Sequence, residues 1–392
     1  MLHQLENNNQ PKFALFNLGF RPFFLFATFS AIILIALWVA NFSGWIKLSG
    51  YYQFIDWHSH EMLFAYSFAV IAGFLLTAVT NWTGLKTIEK TPLAMLSVLW
   101  LVARFLPFFA IDGIWIALCD LLFSLLVALG VAIPIIRSKQ KHNLIIVAVL
   151  LLLTLANLLV HLQHLGYSQT LASGNALAIY SILMILTVVT GRVVPFFTRI
   201  VIQYDMPKVN PLLEKFLIAQ LLLMAIVDMF SLPSIVMFIV AITGAMAHIL
   251  RVKPWFDRRL LATPILWVLY AGYLWLIIGF IMHALAAINL ITSNIAIHAW
   301  TIGAIGLLTY GMMARVSLGH TGRDMVISKL VVAGFVLIFM AAIVRVFLPI
   351  VFADSYLFWV QLSGLLWIVA FILFAYVYSM MYLQPRVDGR SG

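Results

Sequence analysis

The chain has 392 residues, of which 64% are apolar and only 9% charged, and its mean hydropathy is +1.09. An ordinary soluble domain carries roughly 25% charged residues and cannot hide this much apolar surface, so composition excludes a cytosolic enzyme, a nucleic-acid-binding domain and a disordered chain. The net charge of +10 then belongs to the loops of a polytopic membrane protein, where basic residues hold cytoplasmic segments in place.

A spanning helix needs about 20 mostly apolar residues to cross a hydrocarbon core about 30 Å thick. Stretches of that kind are predicted at 22–43, 57–81, 92–110, 114–136, 143–165, 174–203, 212–230, 233–250, 261–285, 294–317, 327–351 and 356–383. Connections are short, and the polar segment from Met1 to Lys12 carries no signal-peptide pattern. The expectation is an all-α bundle of twelve transmembrane helices, one domain over 1–392, with tails at 1–21 and 384–392. Charge sets its direction. With the N-terminus cytoplasmic, Lys47 is the one basic residue of the 23 Lys and Arg that falls in an outer loop. Arg104, Arg192, Arg315 and Arg345 lie within spans, and all the others lie inside. That asymmetry predicts both termini in the cytoplasm.

Even-numbered spans then run inward, and each histidine acquires a depth. His58 and His60 open the second span, and His161 and His164 close the fifth. His283 lies near the outer end of the ninth, and His298 one turn into the tenth. These six of the ten histidines gather at the outer face; His142, His248 and His320 lie at the inner one. Ionisable groups near hydrocarbon are costly and usually face the bundle interior in a functional role. Imidazoles bonded to headgroups or water are the plain alternative, which suits one histidine better than a cluster.

At about 100° per residue, His58 and His60 point about 160° apart, so they cannot bind one metal from a regular helix but could serve two sites, one on each face. His161 and His164 are three residues apart, share a face, and could clamp one metal. Neutral imidazole is a ligand for copper and for haem iron. Haem fits between bundle helices, and Arg104, Arg192 and Arg345 could meet its propionates. Snorkelling is the alternative for these arginines, easiest for Arg345 near a span end. Glu61, inside the second span, points to proton handling or an ion pair. Cys119 is the sole cysteine, which excludes an internal disulfide and a four-cysteine iron–sulfur site. No Cys-x-x-Cys-His occurs, so covalent c-type haem is excluded too. The sixteen methionines fit gap-filling, and Gly303 and Gly306 fit close helix packing.

Several stretches together resemble the NnrS family of bacterial membrane proteins. They are Asn17-Leu18-Gly19-Phe20-Arg21-Pro22-Phe23-Phe24, Asp56-Trp57-His58-Ser59-His60-Glu61-Met62, Gly73-Phe74-Leu75-Leu76-Thr77-Ala78-Val79 and Asn81-Trp82-Thr83-Gly84. Later come Gly191-Arg192-Val193-Val194-Pro195-Phe196-Phe197-Thr198-Arg199, His298-Ala299-Trp300-Thr301-Ile302-Gly303-Ala304-Ile305-Gly306 and Arg315-Val316-Ser317-Leu318-Gly319-His320-Thr321-Gly322-Arg323. The resemblance covers nearly the whole chain. It implies a multi-pass protein of the bacterial inner membrane that contains haem b and copper and acts in the nitric-oxide response, often beside denitrification. The motif residues it carries over are His58, His60, Glu61, Arg192, Arg199, His298, Arg315 and His320, with His161 in a weaker Asn157-x-x-x-His161-Leu162 pattern. Haem–copper oxidases and nitric-oxide reductases offer a looser analogy, with histidine ligands on their second and tenth helices.

The expected function is a haem/copper redox protein that binds or consumes nitric oxide and protects against nitrosative stress. A b-type haem would take His58 or His60 together with His298, and the remaining histidine would face a second metal with His161 and His164. Arg192 would meet a propionate or an anion, Glu61 would relay protons, and quinol from the lipid bilayer would donate electrons. His320 and Arg315 join the cofactor-binding set as motif residues. The rivals are a transporter or metal exporter and a haem sensor or assembly factor without turnover. The sequence offers the transporter neither an evident inverted repeat nor paired broken helices.

Overall fold

The structure, a computed structural model, describes residues 13–203 and 210–390. The first six spans are Phe20–Phe42, Phe54–Thr83, Lys90–Phe108, Gly113–Arg137, Lys141–His164 and Leu171–Ile202. The last five are Ser234–Trp255, Pro264–Ala287, Ser293–His320, Lys329–Val351 and Ala353–Leu383. All are long and apolar enough to cross a membrane. Between the two groups, at the place of the expected seventh span, lies the helix Pro211–Met229; it carries Glu214, Lys215 and Asp228, is not one of these eleven, and is numbered seventh. The expected all-α membrane bundle is therefore present, and the described residues contain no strand.

The described ends of the chain meet at one end of the bundle. The Ala14 N–H donates to the Leu383 carbonyl at 2.9 Å. Buried Arg21, at the foot of the first span, donates through Nη1 to the carbonyls of Met381, Tyr382 and Gln384 at 3.2, 3.0 and 2.7 Å. These lie at the end of the last span, where helical carbonyls lose their intrahelical partners. One guanidinium thus caps the twelfth span and ties it to the first.

The second, sixth, ninth and tenth spans form the middle. Their most apolar stretches are 83%, 78%, 72% and 72% buried, against 39% for the first, third and twelfth. Lipid gives helices no hydrophobic reason to associate, so close packing and hydrogen bonds must hold them. Gly303 and Gly306 serve that end, because a Cβ there would fall 2.6 and 2.7 Å from the rings of Trp275 and Trp367. Tyr66 and Thr309 share a hydrogen bond of 2.7 Å between the second and tenth spans, and Tyr310 donates to the Ala370 carbonyl at 2.8 Å.

Two spans are not regular. A short helix Phe54–His60 gives way to a π-helical turn over Glu61–Ser67, and Ser293–His298 gives way to one over Ala299–Gly306. The wider turn leaves room for Ser67 Oγ to donate to the Met62 carbonyl, five residues back, at 2.8 Å. Such turns are rare and gather at functional sites. Each one here begins directly after a histidine.

Candidate metal centre

At the end of the bundle opposite the termini, the first turn of the second span sends His58 and His60 to opposite faces. His60 is 1% exposed and faces the third, fourth and fifth spans. Its Nε2 lies 3.0 Å from Asp120 Oδ2, 3.1 Å from Asn157 Oδ1 and 3.0 Å from the Tyr52 hydroxyl. His161 Nε2 lies 3.3 Å from the same Asp120 oxygen, and Asn157 Nδ2 donates to it at 2.9 Å. The third span supplies Arg104, which donates to Asp120 Oδ1 and, at 3.0 Å, to Glu61 Oε1. Glu61 Oε1 also sits 3.0 Å from His60 Nδ1. All of these groups except Tyr52 come from spans, so packed helices fix their positions.

Ligating atoms of His60, Asp120 and His161 lie within 4.8 Å of one another, and all three residues are buried. Nitrogen and oxygen ligands about 2.0–2.2 Å from one metal stand about 3.0–3.5 Å apart in octahedral or tetrahedral geometry. The separations of 3.0 and 3.3 Å match that spacing. Three oxygens crowd His60 Nε2, more than a single N–H can serve well. With both carboxylates ionised and both imidazoles neutral, Asp120, Glu61 and Arg104 leave one excess negative charge. A cation at the centre would balance it. The donor set therefore fits a metal ion on both spacing and charge.

Tyr51 and Tyr52 approach from the loop before the second span. Burial first, and then the Asp120 carboxylate, push the Tyr51 hydroxyl up to about 12 and hold Tyr52 well above the ordinary tyrosine value. Both therefore stay neutral over the physiological range, and Tyr51 reaches His161 Nδ1 at 3.3 Å.

The other expected residues fall in three places. His164 shares the His161 face but stands outside the ligand group, with its Nε2 3.7 Å from Asp56. His58 and His298 lie at the same end of the bundle, away from the His60 group. His58 stacks on Trp38 with ring centroids 4.1 Å apart, and the His298 Nδ1 donates to the Asn294 carbonyl at 2.6 Å. Arg192, Arg315 and His320 sit at the termini end. Arg192 donates to Asn143 Oδ1 at 2.6 Å, Arg315 lies 3.2 Å from the Phe197 ring centroid, and His320 packs on Phe20.

Sequence reasoning brought His60 and His161 to one end but passed over Asp120 and the two tyrosines, and gave Asn157 no role beyond its place in the pattern with His161. Asp120 carried a signal: an aspartate in the middle of an apolar run is expensive unless it is paired. Arg345 is only 6% exposed and donates to the Tyr356 hydroxyl at 2.9 Å, so it is held within the protein rather than snorkelling.

Comparison with curated proteins finds no match. The model of one family, described as NnrS protein, matches residues 14–386. That stretch contains every residue of the His60 group, and the chain belongs to the NnrS family.

Proposed function

We propose that the protein is a haem- and copper-containing redox protein of the bacterial inner membrane that binds or consumes nitric oxide near the outer face and so protects against nitrosative stress. The observation that carries this reading is the buried His60–Asp120–His161 group in a chain of the NnrS family. Two imidazoles and a carboxylate are a donor set that copper accepts. Copper bound there would supply a one-electron centre and an open position for a small gas.

The chain's own residues do the rest. His60 and His161 aim ring nitrogens at one Asp120 oxygen, and Asn157 fixes that oxygen by donating to it. Arg104 holds the other Asp120 oxygen and balances its charge. Glu61 touches both Arg104 and His60 Nδ1, so it is placed to take up and return a proton when the charge of the group changes. Burial keeps bulk water away. A haem in this reading would be held between the second and tenth spans by His298 with His58 or His60, and quinol from the bilayer would donate electrons.

The paired π-helical turns favour a second reading, a transporter or metal exporter, because irregular helices in corresponding positions can frame a cargo site. Absorption spectra of the purified protein, oxidised and reduced, before and after nitric oxide, separate the two. A Soret band with sharp reduced α and β bands that shift with nitric oxide, together with consumption of the gas by the reduced protein, supports the first. Haem without consumption fits a sensor or assembly factor. No Soret band from cells supplied with haem precursor, with metal uptake into vesicles, supports transport.

A further inference from the structure

The second and tenth spans repeat one another in the same direction. A shift of 238 residues carries His60 onto His298, Gly73 onto Gly311 and Thr83-Gly84 onto Thr321-Gly322. The structure keeps this register. The π-helical turn begins at Glu61 in one copy and at Ala299 in the other. Each span stops at a glycine in the left-handed region, Gly84 at φ +70° and Gly322 at φ +74°. The next spans correspond as well. Arg104 precedes Phe105-Leu106-Pro107, and Arg345, one residue further back, precedes Phe347-Leu348-Pro349. Both of these helices end in a short extra turn, Leu106–Phe108 and Leu348–Val351. Arg345 therefore stands to His298 as Arg104 stands to His60.

The two copies differ in charge. Two carboxylates surround Arg104 and His60. In the second copy the Arg345 guanidinium acts electrostatically on both His298 and His58, and among the described residues no carboxylate acts on either ring or on Arg345. Asp354, near in sequence, is exposed. A bare metal cation is drawn to the first copy and repelled by the second. The second needs a ligand that brings its own negative charge.

Its side chains are arranged for such a ligand. The His298 Nδ1–H is committed to the Asn294 carbonyl, which leaves the Nε2 lone pair for a metal. Among the described residues, the buried His58 Nδ1 has no hydrogen-bond partner, and neither has Arg345 Nη1. Two imidazoles without a carboxylate, and a buried guanidinium without its anion, match the iron and the propionate of a haem. A flat indole, Trp38, already backs the His58 ring.

We infer that the two cofactors are divided between the two copies: His58 and His298 are the axial pair of a haem b with Arg345 on a propionate, while His60, Asp120 and His161 keep the copper. The inference rests on the haem and copper reading proposed above and decides between His58 and His60. It also places the two centres one residue apart, through Ser59.

The test is cofactor content per chain in the full-length protein purified in detergent, with near-infrared magnetic circular dichroism of the oxidised haem. His298→Ala and His58→Ala are expected to lose the bis-imidazole signature while keeping wild-type copper, which also shows that they fold. Added imidazole should restore that signature in His298→Ala. His60→Ala and Asp120→Asn should lose copper and keep the signature. Arg345→Gln should keep copper and bind haem more weakly. Haem retained with an unchanged spectrum in both His58→Ala and His298→Ala would overturn this inference alone, as would copper lost in His298→Ala with haem lost in His60→Ala. A wild-type protein without haem would overturn the reading beneath it.

Discussion

Asp120→Asn changes one charge and almost no volume, so it isolates what the carboxylate does. In the native group Asp120 Oδ1 takes Arg104, and Oδ2 takes His60, His161 and an N–H of Asn157. An amide must turn its NH2 toward one of these sets, against either the guanidinium or the Asn157 donor. Breaking a buried ion pair costs about 3–5 kcal/mol. Glu61 still holds Arg104, so the lower end, about 3 kcal/mol, is expected. The cost to the metal is separate. A unit charge about 4 Å away at an effective dielectric of about 20 contributes about 4 kcal/mol, or roughly a thousandfold in affinity for a monovalent cation. Copper retention against a series of chelators and thermal unfolding followed by tryptophan fluorescence measure the two effects. Adding Arg104→Gln to Asp120→Asn would leave the buried Glu61 without its cation, and should lower stability further without restoring copper. An Asp120→Asn protein that keeps copper within a few fold of wild type and melts with it would refute the reasoning.

Other parts of the structure make their own predictions. Arg21→Ala removes the cap that joins the first and last spans, and should cost about 3 kcal/mol on thermal unfolding, since Nη1 shares two N–H groups among three carbonyls and hydrogen bonds to charged groups contribute at least about 1.5 each. Gly191→Ala would press a methyl into Arg251, which is paired with Glu214, and should destabilise by about 1–3 kcal/mol while leaving copper content unchanged. The Tyr51 hydroxyl is pushed up to about 12 in the folded protein against an unfolded value of about 10, so its contribution is intact below pH 10 and is lost from there upward toward pH 12. Melting curves across that window should fall less steeply for Tyr51→Phe than for wild type.

The spans were legible because a membrane demands long apolar runs, and the basic residues marked which ends share a side. The separation of His58 from His60 was legible too, since a regular helix turns them to opposite faces. Helical π turns were not, because one extra residue per turn hardly disturbs a pattern that is apolar on every side. Asp120 sits among Cys119, Leu121 and Leu122, and its meaning appears only when three other spans bring Arg104, His60 and His161 to it. Arg104 and Arg192 look alike in sequence, each a lone arginine in a span. The fold places Arg104 between two carboxylates and Arg192 beside Asn143 at the opposite end.

The most direct test of a copper centre at His60, Asp120 and His161 is pulsed electron paramagnetic resonance on the oxidised full-length protein. The account predicts a copper signal coupled to two imidazole nitrogens, one of which disappears in His161→Ala. Copper with no imidazole coupling, or the same coupling in wild type, His60→Ala and His161→Ala, would contradict it.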